Sequence, residues 1–109
     1  MRYKIILVPF PFDNLKTNKV RPVVCLTEPF GKFNHVIFAF ITSKNPKDKT
    51  ETDIELESNE ETGLKVKSVL RLHRVISLPV SLAKTQLGQL SVSKVKELNE
   101  KLKNLFAIN

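Results

Sequence analysis

In Ser68-Val-Leu-Arg-Leu-His-Arg-Val-Ile-Ser-Leu78, Val69 and Leu70 run into the alternation Arg71-Leu72-His73-Arg74-Val75. A period of two makes one face apolar and places Arg71 and His73 on the other, which predicts a strand, ended by Pro79. A strand of this kind needs partners, and the upstream sequence supplies them. Lys4 to Val8, Pro22 to Thr27 and Val36 to Ile41 are rich in Val, Ile, Phe and Leu and read as buried strands. The second opens on Pro22, where a missing N–H costs least. Thr52-Asp-Ile-Glu-Leu56 alternates acids with Ile54 and Leu56, the pattern of a half-exposed or edge strand.

The connections follow from turn chemistry. Prolines and Asx residues between Pro9 and Lys19 block a regular ladder and predict a long loop, and a turn is expected around Asn59 to Gly63. Val80 to Leu87 reads as a short helix or turn leading into a short strand. Ser91 then suits an N-cap, and Val92, Val95, Leu98, Leu102, Leu105 and Phe106 recur at helical spacing over about four turns. Leu90 is placed to pack on Val95 as a hydrophobic staple. The apolar face of this helix must cover the sheet or a partner, and Lys94, Lys96, Lys101 and Lys103 are assigned to its solvated face. The pattern is a mainly β (α+β) fold.

With 109 residues, 41% of them hydrophobic, the chain is expected to form a single domain, 1–109, around one core. Its apolar runs are far shorter than the roughly 20 residues needed to cross a bilayer, and the N-terminus lacks a small-residue cleavage site. Lone Cys25 has no partner for an internal disulfide and no local metal motif, which points to reducing cytosol, with no membrane association and no cofactor. The net charge of +7 is uneven: residues 48–61 carry seven acids against Lys49, net −6, leaving +13 on the remainder. That remainder would attract a polyanion, RNA, DNA or an acidic protein, although lysines also serve solubility alone.

Gly-rich phosphate loops, Cys/His ligand clusters and nucleophile elbows are all missing from the sequence. Polar residues at strand ends remain: Arg21 before Pro22, Thr42 and Ser43 after Phe40-Ile41, and Arg71 with His73. Singly, each has an ordinary structural explanation, as a surface Arg, a turn-capping Thr-Ser pair and a strand His.

In chain order they carry more. Ile6-Leu-Val-Pro-Phe-Pro-Phe-Asp, Lys19-Val-Arg-Pro-Val-Val-Cys-Leu, Ala39-Phe-Ile-Thr-Ser, Gly63-Leu with Ser68-Val-Leu-Arg-Leu, and Leu87-Gly-Gln-Leu-Ser together resemble the PemK/MazF toxins of type II toxin–antitoxin systems. The similarity covers nearly the whole chain. It implies an SH3-like small barrel, a strongly curved antiparallel sheet with a C-terminal helix. It further implies a homodimer, metal-independent sequence-selective cleavage of single-stranded mRNA, and an antitoxin whose flexible acidic tail lies over the RNA groove. Arg21 matches the family's catalytic Arg, Thr42 its catalytic Thr, and Arg71 an Arg contributing to the site. Two positions depart from the pattern: His73 stands where relatives commonly place an Asp, and Tyr3-Lys4 where a Gly-Asp often opens the first strand.

Metal-free RNA cleavage makes the ribose 2′-OH the nucleophile and yields a 2′,3′-cyclic phosphate and a 5′-OH. The Arg21 fork suits the non-bridging phosphate oxygens, the Thr42 hydroxyl suits positioning, and His73 suits proton exchange near neutrality. Phe12 is a candidate stacking platform, with Lys19, Ser43 and Arg71 as further substrate contacts. The competing readings are a toxin of the same fold that binds DNA gyrase without cutting RNA, and an RNA-binding module whose catalysis has decayed.

Overall fold

The computed structural model describes residues 1–9 and 19–108. Its strands are β1 (Lys4–Pro9), β2 (Val20–Cys25), β3 (His35–Thr42), β4 (Asp53–Leu56), β5 (Ser68–Pro79) and β6 (Thr85–Gln89). They form one antiparallel sheet in the order β4-β5-β3-β2-β1-β6, and α1 (Val92–Leu105) follows. A 3-10 turn, Val80–Leu82, joins β5 to β6. The strands read from the sequence appear within about two residues of their expected ends, and Thr52 to Leu56 is the edge strand its alternation predicts. The interior of the expected Pro9 to Lys19 loop lies outside the described residues. Among those described, no helix is long and apolar enough to cross a membrane.

Alternation divides the apolar residues between the two faces of the sheet. Ile5, Val24, Ala39, Ile41, Leu70 and Leu72 pack with Leu98 of α1, while Ile6, Val8, Val23, Cys25, Val36, Phe38 and Leu78 form a second cluster. Central strands covered on both faces need near-continuous apolar sequence, which explains the runs in β1 to β3. Burial pushes the Cys25 thiol up to about 11, so at neutral pH it is an uncharged core side chain.

The helix starts where Ser91 Oγ accepts the Lys94 N–H at 3.3 Å. It meets the sheet through Val95, Leu98 and Leu102, spaced to share one face, and complete burial of Leu98 contributes about 2 kcal/mol. Val92 departs from its expected place. It is 87% exposed, and Leu90 fills the core at the helix start instead; Leu105 and Phe106 are exposed as well. Lys101 also leaves the solvated face, donating from Nζ to the Asp53 carbonyl at 2.9 Å and so tying α1 to β4.

Two devices curl the sheet. In the β3–β5 ladder Ala39 pairs with Val75 but Phe40 pairs with Arg71, so Leu72, His73 and Arg74 form a bulge that bends β5. At the opposite edges, the turn after β4 reaches β6, where the Gln89 N–H donates to the Glu61 carbonyl at 2.8 Å. Gly63 and Gly88 permit this approach: a Cβ on either would overlap the Leu87 or Glu61–Thr62 backbone, and Gly63 has a φ of +69°. Tyr3 takes a left-handed φ of 72° just before β1, at one of the two positions where a Gly-Asp was expected from the family pattern. Its N–H donates to the Cys25 carbonyl at 2.7 Å and its hydroxyl to Asn99 Oδ1 at 3.1 Å, which offsets that cost.

Candidate active site

A cavity of about 1030 Å³ opens where β2 begins, β3 ends and the β5 bulge turns. Antiparallel pairing explains the convergence. Extending the β2–β3 register two residues beyond the Val23–Phe40 pair brings Arg21 level with Thr42, while Arg71 lies beside Phe40 in the neighbouring ladder. Arg21, Thr42, Ser43, Arg71 and His73 all line the cavity, gathered from three strands. Lys19 is exposed before β2 and is not among the lining residues; Phe12 lies outside the described residues.

Each side chain is held differently. Arg21 is exposed on the second residue of β2. The Thr42 Oγ1 accepts the Lys44 N–H at 3.2 Å, which leaves its hydroxyl proton available to a ligand. Arg71 is only 6% exposed and therefore needs counter-charge. Its Nε donates to Asp53 Oδ1 at 3.1 Å, its Nη1 to Asp48 Oδ1 at 3.2 Å and its Nη2 to the Asp48 carbonyl at 3.2 Å. Burial opposes the Arg71 charge, but the two carboxylates outweigh it and hold the guanidinium above its ordinary value. The hydrogen bond from Arg71 in turn holds the Asp48 carboxyl below its ordinary value.

His73 is exposed on the bulge, with its Nδ1 2.9 Å from Thr52 Oγ1. Thr52 does not line the cavity and His73 does, so Nε2 is the ring nitrogen left for a ligand. Lys44, Lys65 and Arg74 add positive charge to the lining, and Leu7, Phe40, Leu64 and Val75 supply apolar wall. Such a lining suits a flexible polyanion with flat apolar bases. Among the described residues no three His, Cys, Asp or Glu side chains converge as metal ligands would.

Asp48, Thr52 and Asp53 were not anticipated as site residues, because Asp48 counted only toward the acidic charge of residues 48–61, Thr52 only toward an edge strand, and Asp53 only toward that charge and that strand. One signal was present: an Arg inside the apolar run Val69-Leu70-Arg71-Leu72 requires an acid nearby, and Asp53 alternates with Ile54 on a candidate neighbouring strand.

Known structures share this arrangement of strands. The Mycobacterium tuberculosis toxin MazF-mt6 superposes with a TM-score of 0.76 at 24% identity, over 97% of this chain and 98% of that one. An endoribonuclease in complex with its cognate antitoxin, from mycobacterial species, gives 0.75 at 11% identity over 100% and 96%. MazF (Form-I) from Deinococcus radiodurans gives 0.70 at 18% identity over 98% and 96%. Curated protein sequences gave no match. The family model for the PemK-like, MazF-like toxin of type II toxin–antitoxin systems matches residues 1–106, and the chain belongs to that family.

Proposed function

We propose that this chain is a metal-independent endoribonuclease toxin that cuts single-stranded mRNA by 2′-OH attack and is neutralised by a cognate antitoxin. The observation that carries the reading is the cavity itself, which gathers Arg21, Thr42, Arg71 and His73 in a member of this toxin family. Arg21 clamps the non-bridging oxygens of the scissile phosphate and stabilises the phosphorane charge. Its guanidinium acts as a charge stabiliser rather than a proton carrier. The Thr42 hydroxyl donates to the same phosphate and holds it in line with the 2′-oxygen. His73 Nε2 takes the 2′-OH proton; the 2′-oxygen bonds to phosphorus, the bond to the 5′-oxygen breaks, and solvent exchanges the collected proton for the one the leaving oxygen needs.

Ser43 and Arg71 complete the substrate contacts. Arg71 engages a phosphate by exchanging it for Asp48, whose side chain is 76% exposed, while Asp53 keeps the guanidinium anchored. Phe12 and Lys19 are assigned to substrate binding as further contacts. The solved endoribonuclease bound to its cognate antitoxin supports an antitoxin partner, and the +13 charge outside residues 48–61 suits a flexible acidic tail. Pairing of two chains would lengthen the RNA groove, and the cytoplasm supplies the mRNA substrate.

The test is incubation of purified protein with single-stranded RNA in EDTA. Cleavage that leaves 2′,3′-cyclic phosphate ends, and that is lost in Arg21→Ala and on substrates with a 2′-deoxy sugar at the cut site, is the expected result. Absence of cleavage across a varied RNA pool overturns it and favours a toxin that binds without cutting.

A further inference from the structure

We infer that Thr52 is a positioning residue for the reaction, acting through His73: its Oγ1 accepts the Nδ1–H of the imidazole and so keeps the Nε2 lone pair turned to the cavity. The inference rests on the ribonuclease reading above and assigns a role to a residue outside the cavity lining. Its basis is a chain of contacts running from the floor of the site to its wall. Arg71 Nε donates to Asp53 Oδ1 at 3.1 Å, and Asp53 Oδ2 accepts the Thr50 N–H at 3.0 Å. The Thr50 and Thr52 hydroxyls lie 2.5 Å apart, the Thr52 N–H donates to Thr50 Oγ1 at 3.2 Å, and Thr52 Oγ1 lies 2.9 Å from His73 Nδ1. The Leu72 N–H donates to the Thr52 carbonyl at 3.2 Å, so backbone as well as side chain binds Thr52 to the strand that carries His73.

The geometry of the Thr52–His73 contact fits either ring tautomer, but the chemistry needs one of them. A base at Nε2 must have its proton on Nδ1. Thr52 Oγ1 then accepts from His73 while its own proton goes to Thr50 Oγ1, and the exposed Thr50 hydroxyl gives its proton to solvent. When Nε2 takes the 2′-OH proton, the imidazolium still donates from Nδ1 to the same oxygen, so the ring gains its charge without reorienting. The bulge explains why an external brace is required. His73 lies outside the regular β3–β5 pairing, on an exposed segment, and the ladder alone does not fix its ring.

The test combines a spectroscopic and a kinetic reading of Thr52→Val, which keeps the side-chain shape and removes the hydroxyl, and Thr52→Ser, which restores it. Nitrogen-15 shifts of the neutral His73 ring should show the Nδ1–H tautomer predominant in the wild-type protein and the Nε2–H tautomer gaining in Thr52→Val. On a defined oligonucleotide, kcat should fall about tenfold in folded Thr52→Val with KM within twofold, the expected size for a misplaced base. Thr52→Ser should recover to within threefold, and Thr52→Val should add nothing in a His73→Ala background. Unchanged tautomer populations, wild-type kcat in Thr52→Val, or a full Thr52→Val effect without His73 each overturn the role. If the wild-type protein cuts no RNA, the ribonuclease reading itself falls and the role of Thr52 with it; wild-type cleavage beside an unaltered Thr52→Val overturns Thr52 alone.

Discussion

Arg71 Nε and Asp53 Oδ1 lie 3.1 Å apart across the β4–β5 ladder, in side chains of which 7% and 6% remain exposed. Removing Asp53 leaves the buried guanidinium with only the exposed Asp48 as counter-charge, so Asp53→Ala should destabilise the fold by about 3 kcal/mol in urea unfolding. The double variant Asp53→Ala with Arg71→Met leaves no buried charge and should recover part of that loss. Equal loss in single and double variants would show that Asp53 acts through packing alone.

Asp48 predicts the opposite kind of effect. Its carboxylate is mostly exposed, holds Arg71 from the cavity side, and must yield to an entering phosphate. Asp48→Asn should therefore lower KM for RNA two- to fivefold, leave kcat unchanged and leave the melting temperature near wild type. Because the folded carboxyl titrates below its ordinary value, the ion pair's contribution is complete above the unfolded pKa of about 3.9 and is lost only as pH falls through the lower folded value. The KM ratio between variant and wild type should thus be the same at pH 6 and pH 8. A ratio of one at both values would place RNA away from Arg71.

The course of β1 to β3 was legible in the sequence because buried strands announce themselves as short apolar runs, and α1 because Ser91 and the Val95, Leu98, Leu102 spacing act locally. The candidate site was legible only by resemblance. Arg21, Thr42 and His73 are separated by tens of residues, and the register that joins them exists only in the assembled sheet. The three-residue bulge at Leu72 to Arg74 was invisible, since the alternation Arg71-Leu72-His73-Arg74-Val75 reads as an unbroken strand. The left-handed Tyr3 was equally hidden: a bulky residue at φ 72° contradicts local preference and stands because Cys25 and Asn99 hold it.

Closure of the sheet should depend on Gly88. Any Cβ there meets the Glu61 and Thr62 backbone, which belongs to a turn tied to β6 by the Gln89–Glu61 hydrogen bond. Backbone yields less readily than a flexible side chain, so Gly88→Ala should cost about 2 kcal/mol. It should also weaken RNA cleavage, because Gly63, Leu64 and Leu87 carry the same junction into the cavity wall. Wild-type stability in Gly88→Ala would mean that the two edges part without consequence.

Salt dependence should reveal which cations meet the substrate. Arg21, Lys44, Lys65 and Arg74 line the cavity, whereas Lys96 and Lys103 are exposed on α1 and do not. Each phosphate neutralised on a single strand contributes about 0.7 to the slope of log affinity against log salt, so these four cavity cations together with Arg71 predict a slope of about −3.5. Binding is measured on an oligonucleotide with a 2′-deoxy sugar at the cut site, which separates affinity from turnover. Lys44→Ala and Lys65→Ala should each reduce the slope by about 0.7, while Lys96→Ala and Lys103→Ala leave it unchanged. The reverse pattern would move the RNA onto the helix and away from Arg21, and the catalytic reading of the cavity would not survive it.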